Sequence, residues 1–169
     1  MLLRFLLVSA FFATSASAAA QTSEGMTLLG QLDPRNSSYA DIWGYTAADG
    51  TEYALLCNWG NGLSIIDITE DQPVEVGYYP ASGLGFDVKT YDHYAYLVSG
   101  GGGPNLQIID LADPTNPTQV GTLPQDAHNI AIEGDYLYMM GGNPQGLAIY
   151  SLLPDPTSPQ LVGTHDPYY

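Results

Sequence analysis

From Tyr39 onward, apolar residues come in short runs of strand length, separated by clusters of Gly, Pro, Asn and Asp. The runs recur in a fixed order. Tyr39-Ala40-Asp41-Ile42, Tyr53-Ala54-Leu55-Leu56, Gly62 to Ile68 and Val74-Glu75-Val76-Gly77 form a first set. Gly85-Phe86-Asp87-Val88, Tyr94-Ala95-Tyr96-Leu97, Asn105 to Leu111 and Thr118 to Gly121 form a second. Ala127-His128-Asn129-Ile130, Tyr136-Leu137-Tyr138-Met139, Gly146 to Leu152 and Gln160 to Gly163 form a third. The closing glycines at 77, 121 and 163 are 44 and 42 residues apart, and Asp41, Asp87 and Asn129 are 46 and 42 apart. Four landmarks kept in order three times define a repeat.

Each repeat therefore predicts four strands, in units at about 39–80, 85–124 and 127–166. Asp113-Pro114-Thr115-Asn116-Pro117 and Asp155-Pro156-Thr157-Ser158-Pro159 join the third strand to the fourth, with Thr69 to Pro73 as the degenerate copy. Proline has no N–H to give a ladder, so these are loops. The middle runs, such as Leu137-Tyr138-Met139-Met140, are apolar on successive residues and predict strands covered on both faces. Four-stranded units of this length, stacked face to face, predict an all-β, β-propeller-like array of about three blades. A β-sandwich is the alternative, but it gives no reason for the period.

The region before the repeats divides in two. Met1 to Arg4 gives a positive start, Phe5 to Ala13 an apolar core, and Ser15 to Ala20 a run of small residues. That is the pattern of a secretory signal over 1–20, with cleavage before Ala19 or Gln21, leaving 21–169 as the partial propeller. A membrane anchor needs about 20 apolar residues, which this end does not reach. Met26 to Leu32 reads as the fourth run of a repeat without the three strands before it. Three blades fall below the usual minimum of about four. An incomplete propeller is expected, either a fragment of a longer protein or an open assembly that needs partners.

Composition narrows the function. Eighteen Asp and Glu face three Lys and Arg, a net charge of −15, and loss of Arg4 with a signal would leave 2 − 18 = −16. No basic surface exists to neutralise nucleic-acid phosphates or to dock on an anionic membrane. Such acidity suits an exported protein in a saline medium, where salt screens self-repulsion. Nineteen Gly, twelve Pro and thirteen Tyr fit tight turns between strands. One cysteine, Cys57, excludes an intrachain disulfide and a Cys-rich zinc site, and its apolar run predicts a buried, inert thiol.

Asp41-Ile42-Trp43-Gly44-Tyr45 followed by Gly50 to Leu55 resembles the opening of bacterial choice-of-anchor B extracellular proteins, which carry LVIVD-type repeats. Leu63 to Asp67 and Leu106 to Asp110 fit the repeat core, and Asp87-Val88-Lys89 and His128-Asn129-Ile130 sit where the family pattern has them. The resemblance covers roughly residues 26 to 165. It implies a propeller-like protein that is secreted, periplasmic or displayed on the cell surface, and it supplies little chemistry. The C-terminal blades and anchor region of that pattern have no counterpart here.

The strongest candidate site is Asp41, Asp87, His128 and Asn129. Three of these open the innermost strand of each blade, so radial repetition brings them to a ring at the channel mouth. Converging oxygens there could hold Ca²⁺ or another divalent cation, with the imidazole tilting the choice toward a transition metal. The preferred alternative is that each side chain ties its strand to backbone groups of the neighbouring blade. Asp67, Asp110 and Ser151 close third strands and suit turn N–H groups. Gly100 to Asn105 lacks the Lys-Ser/Thr of a phosphate loop. His93 and His165 have no triad-like partners, and Asn36-Ser37-Ser38 is a sequon that carries little weight if the source is bacterial, as the resemblance implies. Trp43, Trp59 and the tyrosines suit either blade filling or a carbohydrate or peptide groove. Two functions remain: an exported, non-enzymatic module binding protein, glycan or cell surface, or a secreted hydrolase or lyase using the channel ring. The first is favoured.

Overall fold

The computed structural model describes residues 22–23, 25–60, 62–100, 105–142 and 146–166; the signal-like segment 1–20 lies outside them. A short hairpin joins β1 (Thr22–Ser23) and β2 (Met26–Thr27). Three four-stranded antiparallel sheets follow, each a meander in chain order. Blade one holds β3 (Tyr39–Thr46), β4 (Glu52–Asn58), β5 (Gly62–Asp67) and β6 (Val74–Tyr79). Blade two holds β7 (Leu84–Tyr91), β8 (Tyr94–Gly100), β9 (Leu106–Asp110) and β10 (Thr118–Leu123). Blade three holds β11 (Asn129–Glu133), β12 (Tyr136–Met140), β13 (Leu147–Ser151) and β14 (Gln160–His165). First strands of successive blades, β3 with β7 and β7 with β11, lie against each other, which makes them the inner strands.

Consecutive apolar residues do what the pattern requires. The forward face of blade one (Leu55, Cys57, Leu63, Ile65) packs on Val88, Ala95, Leu97 and Ile109 of blade two in one continuous core. The other face of blade two (Tyr96, Val98, Leu106, Ile108) packs on Ile130, Leu137, Met139 and Ala148 of blade three in a second. The core is thus divided into joints between sheets, and no blade buries its apolar surface by itself.

Bulges fall at equivalent places. Ala40 and Phe86 are the extra residues in the inner strands, and Val76, Val120 and Val162 in the outer ones. Each outer bulge precedes the repeat glycine. At Gly77 a Cβ would run into the Pro114 carbonyl of the next blade, and at Gly121 into that of Thr157. The outer strand of one blade is therefore pressed onto the third-to-fourth-strand loop of the next, at a distance only glycine permits. Those loops are fixed by aspartate turns: Asp113 accepts the Thr115 N–H at 3.0 Å and Asp155 that of Thr157 at 2.9 Å.

Met26 to Leu32 departs from the expected fourth strand. Only Met26–Thr27 is a strand, and its partner is Thr22–Ser23, because no third strand lies beside it among the described residues. The docking contact nonetheless persists. A Cβ on Gly30 would meet the Asp71 carbonyl at 2.7 Å and Pro73. Gln72 Nε2 donates to the Leu29 carbonyl at 3.1 Å, and Arg35 anchors the segment's end on Glu75 at 2.9 Å.

Candidate functional site

Inner strands begin, and second strands end, at the same end of every sheet: Tyr39 opposes Asn58, Leu84 opposes Gly100, and Asn129 opposes Met140. The bulges at Ala40 and Phe86 re-aim the residue that follows, Asp41 or Asp87, away from its own sheet. Asp41 Oδ2 accepts the Val88 N–H of blade two at 3.1 Å. Asp87 Oδ2 accepts the Ile130 N–H of blade three at 2.7 Å. One carboxylate per joint thus satisfies one inner-strand N–H of the next blade.

A residue the sequence reading passed over completes this node. Lys89 lies on β7 two residues beyond Asp87, hence on the same face, and its Nζ contacts Asp87 Oδ1 and sits 3.3 Å from Asp41 Oδ2. The ammonium also lies 4.5 Å from the Trp43 ring centroid, while Trp43 Nε1 donates to Thr90 Oγ1 at 3.1 Å. Lys89 was findable as one of two cations beyond residue 20, placed in register with an acidic repeat position.

Burial together with its hydrogen bond to Asp41 pushes the Asp87 carboxyl above the usual range. Partial burial works in the same direction on Asp41, but the hydrogen bond with Asp87, the Val88 N–H and Lys89 hold it below that range. The two carboxyls behave as one unit with Lys89 between them.

Asn129 and His128 stand apart from this node. Both are exposed, and His128 Nδ1 lies 2.9 Å from Asn129 Oδ1. Of the four predicted residues, Asp41 and Asp87 come together around Lys89, with Asp87 buried and the other two half-buried, while His128 and Asn129 form an exposed pair beside them. The carboxylate oxygens already serve two backbone N–H groups and a protein cation, and among the described residues no group of three or more His, Cys, Asp or Glu is placed to hold a metal ion.

Beside the node runs an aromatic row with one ring from each blade. Trp59 follows β4, Phe86 is the bulge residue of β7, and His128 precedes β11. Trp59 and Phe86 rings lie 5.4 Å apart at 60°, and Phe86 and His128 stack at 5.0 Å and 13°. A glycine makes room for the Phe86 ring. Gly100 and Gly142 occupy the position of Trp59 in their blades; a Cβ on Gly100 would strike the Phe86 ring, and one on Gly142 the Asp126 carbonyl. Where the inner bulge is small, at Ala40, the turn carries Trp59 instead. Trp59 is 47% exposed, so the row has an open face.

The opposite end of the sheets carries a cleft of about 550 Å³ between blades one and two, lined by Tyr45, Tyr53, Asp49, Asp92, His93 and Pro114. His93 Nδ1 is 3.3 Å from Asp92, and its ring meets Tyr94 at 4.1 Å. The remaining candidates hold turns or core: Asp67 accepts from Thr69 N–H at 2.9 Å, Asp110 from Ala112 N–H at 2.7 Å, and Ser151 from Leu153 N–H at 3.2 Å. Cys57 is fully buried, and burial pushes its thiol far above the ordinary value.

Four-stranded meanders packed face to face, with inner strands adjoining and one polar tie per joint, define a β-propeller-like repeat protein. The LVIVD repeat matches residues 51–79, 82–123 and 124–166, and the chain belongs to that repeat family. No curated protein matches it. Among solved structures, the computationally designed Ika4 protein is similar, with a TM-score of 0.59 and 11% identity over 86% of this chain and 81% of that one. At that identity the likeness is one of fold alone.

Proposed function

We propose that this LVIVD-repeat chain is an exported, non-enzymatic binding module of the choice-of-anchor B type. Its ligand, a glycan or a surface-displayed polypeptide, lies across the Trp59–Phe86–His128 row. The carrying observation is the row itself: three rings from three blades, each touching the next, with an exposed indole at one end. Aromatic faces stack on the apolar faces of sugar rings and on extended peptide, and they do so without an ionisable catalyst. The hydrolase or lyase alternative would have to work through the exposed His128, whose Nδ1 faces the Asn129 amide oxygen, because Asp87 is only 4% exposed and both its oxygens are engaged. Acidity fits export into salt, and the apolar leader of 1–20 fits secretion.

Affinity electrophoresis through gels containing soluble β-glucan, xylan or chitosan oligomers tests this reading, alongside a peptide array. Retardation by one polymer, or capture by one peptide class, is expected in the wild type and lost in Trp59→Ala. Retention that survives Trp59→Ala and Phe86→Ala together would overturn it.

A further inference from the structure

The three blades are held by one contact set used twice, and its two halves stand exposed at opposite ends of the array. In each internal joint an inner-strand carboxylate receives the next blade's N–H, Asp41 from Val88 and Asp87 from Ile130. The forward-face positions Cys57 and Val98 are fully buried, and the repeat glycine seats the next blade's loop. Blade three presents the same forward half uncovered. Asn129 holds the acceptor position and is exposed, while Met140, equivalent to Cys57 and Val98, is 37% exposed. Leu147 and Ile149 are half-buried where Leu63, Leu106, Ile65 and Ile108 are fully buried. Gly163 has no atom nearer than Ile149 Cδ1, at 3.8 Å from where its Cβ would stand. Blade one presents the backward half: Ile42, equivalent to Val88 and Ile130, is 60% exposed beside a hollow of about 320 Å³ that Asp41 and Leu56 also line.

From this continuity with the internal joints we infer that a second copy of this chain docks head to tail. Blade three of each copy seats on blade one of the other, and Asn129 Oδ1 accepts the partner's Ile42 N–H. Two such heterologous contacts related by a twofold axis close a ring of six blades, within the size range of propellers. The Met26 to Leu32 strap stands in the way, because Gly30 fills the place on the Asp71–Pro73 loop that the incoming Gly163 would take. That strap is lightly held, with Met26 at 70% and Leu29 at 65% exposure, so docking displaces it. Asn129 is uncharged where Asp41 and Asp87 are acidic, which limits local repulsion between two highly acidic chains; salt tightens the contact by screening the rest.

Sedimentation equilibrium of the full chain at low salt and at about 0.5 M NaCl is the test. A two-chain mass, favoured by salt and strengthened by deleting 22–32, is expected. Gly163→Val has open space in a single chain but blocks the joint, so it should leave the circular dichroism intact and abolish the dimer. Met140→Glu, at an exposed position, should do the same and serves if the valine variant misfolds. A monomer at high salt, a ladder of larger masses, or a dimer indifferent to both variants would overturn the proposal.

Discussion

Asp87→Ala removes the acceptor for the Ile130 N–H, which is buried between blades two and three. A buried donor left unpaired costs about 1–3 kcal/mol. Lys89 loses its closer partner yet keeps Asp41 at 3.3 Å, so its charge is not stranded, and about 1 kcal/mol is added for that contact. The total, about 2–4 kcal/mol, is a large part of the 5–15 kcal/mol that folded domains typically hold. Asp41→Ala vacates a side chain 29% exposed, with a longer bond to Val88, and should cost about 1–2 kcal/mol. Asn129→Ala, measured in dilute protein, touches only exposed His128 and should fall within about 0.5 kcal/mol. Asp87→Asn keeps an acceptor for Ile130 and should recover about half the loss. Urea unfolding followed by tryptophan fluorescence and far-ultraviolet circular dichroism gives all four values. If Asn129→Ala cost as much as Asp87→Ala, or Asp87→Ala cost under about 1 kcal/mol, the blade-tie role would be refuted.

Carboxyl-carbon NMR should find Asp87 titrating above 3.8 and Asp41 below it. The raised Asp87 group favours the folded state most below pH 3.8, and its contribution is lost as pH rises through its folded pKa; the lowered Asp41 group stabilises above 3.8 and fails as pH falls through its folded value. The reverse order of midpoints would contradict the assignment. Cys57 should resist a thiol reagent in the native protein and react fully on unfolding, and rapid native labelling would show that the first joint opens. Gly121→Ala should prevent stable packing of blades two and three, since its Cβ meets a backbone carbonyl; a variant melting within a degree or two of wild type would dismiss glycine-limited docking. Expression of the whole gene should give a mature N-terminus near Ala19 to Gln21 outside the cytoplasm, against which uncleaved cytosolic protein would tell.

The repeat made much of the architecture legible. Four apolar runs in fixed order, with an Asp-Pro-Thr-x-Pro segment in the third connection of blades two and three, correspond to the four strands and that loop of each blade. Asp67 and Asp110 were readable as turn residues because their chemistry is local. The node was harder to read. Asp41 and Asp87 stand out by period, but Lys89 belongs to no repeat, and its place between two carboxylates follows from how blade two sits on blade one. The aromatic row was hidden for a related reason. Phe86 and His128 share one repeat position, just before Asp87 and Asn129, but blade one carries Ala40 there and supplies its ring from the turn at Trp59, so periodicity misses the third member of the row. The exchange of Ala40 with Trp59 in blade one for Phe86 with Gly100 in blade two shows only in the structure, where a Cβ on Gly100 would strike the Phe86 ring.

The most direct measurement is amide and indole chemical-shift mapping of the isotope-labelled protein, titrated with whichever polymer or peptide it retains. The expected result is perturbation of the Trp59 Nε1–H and of the backbone around Phe86 and His128, with Asp87→Asn binding like wild type. Shifts confined to Tyr45, Tyr53 and His93 in the opposite cleft, or binding lost in Asp87→Asn while the fold stays intact, would contradict it.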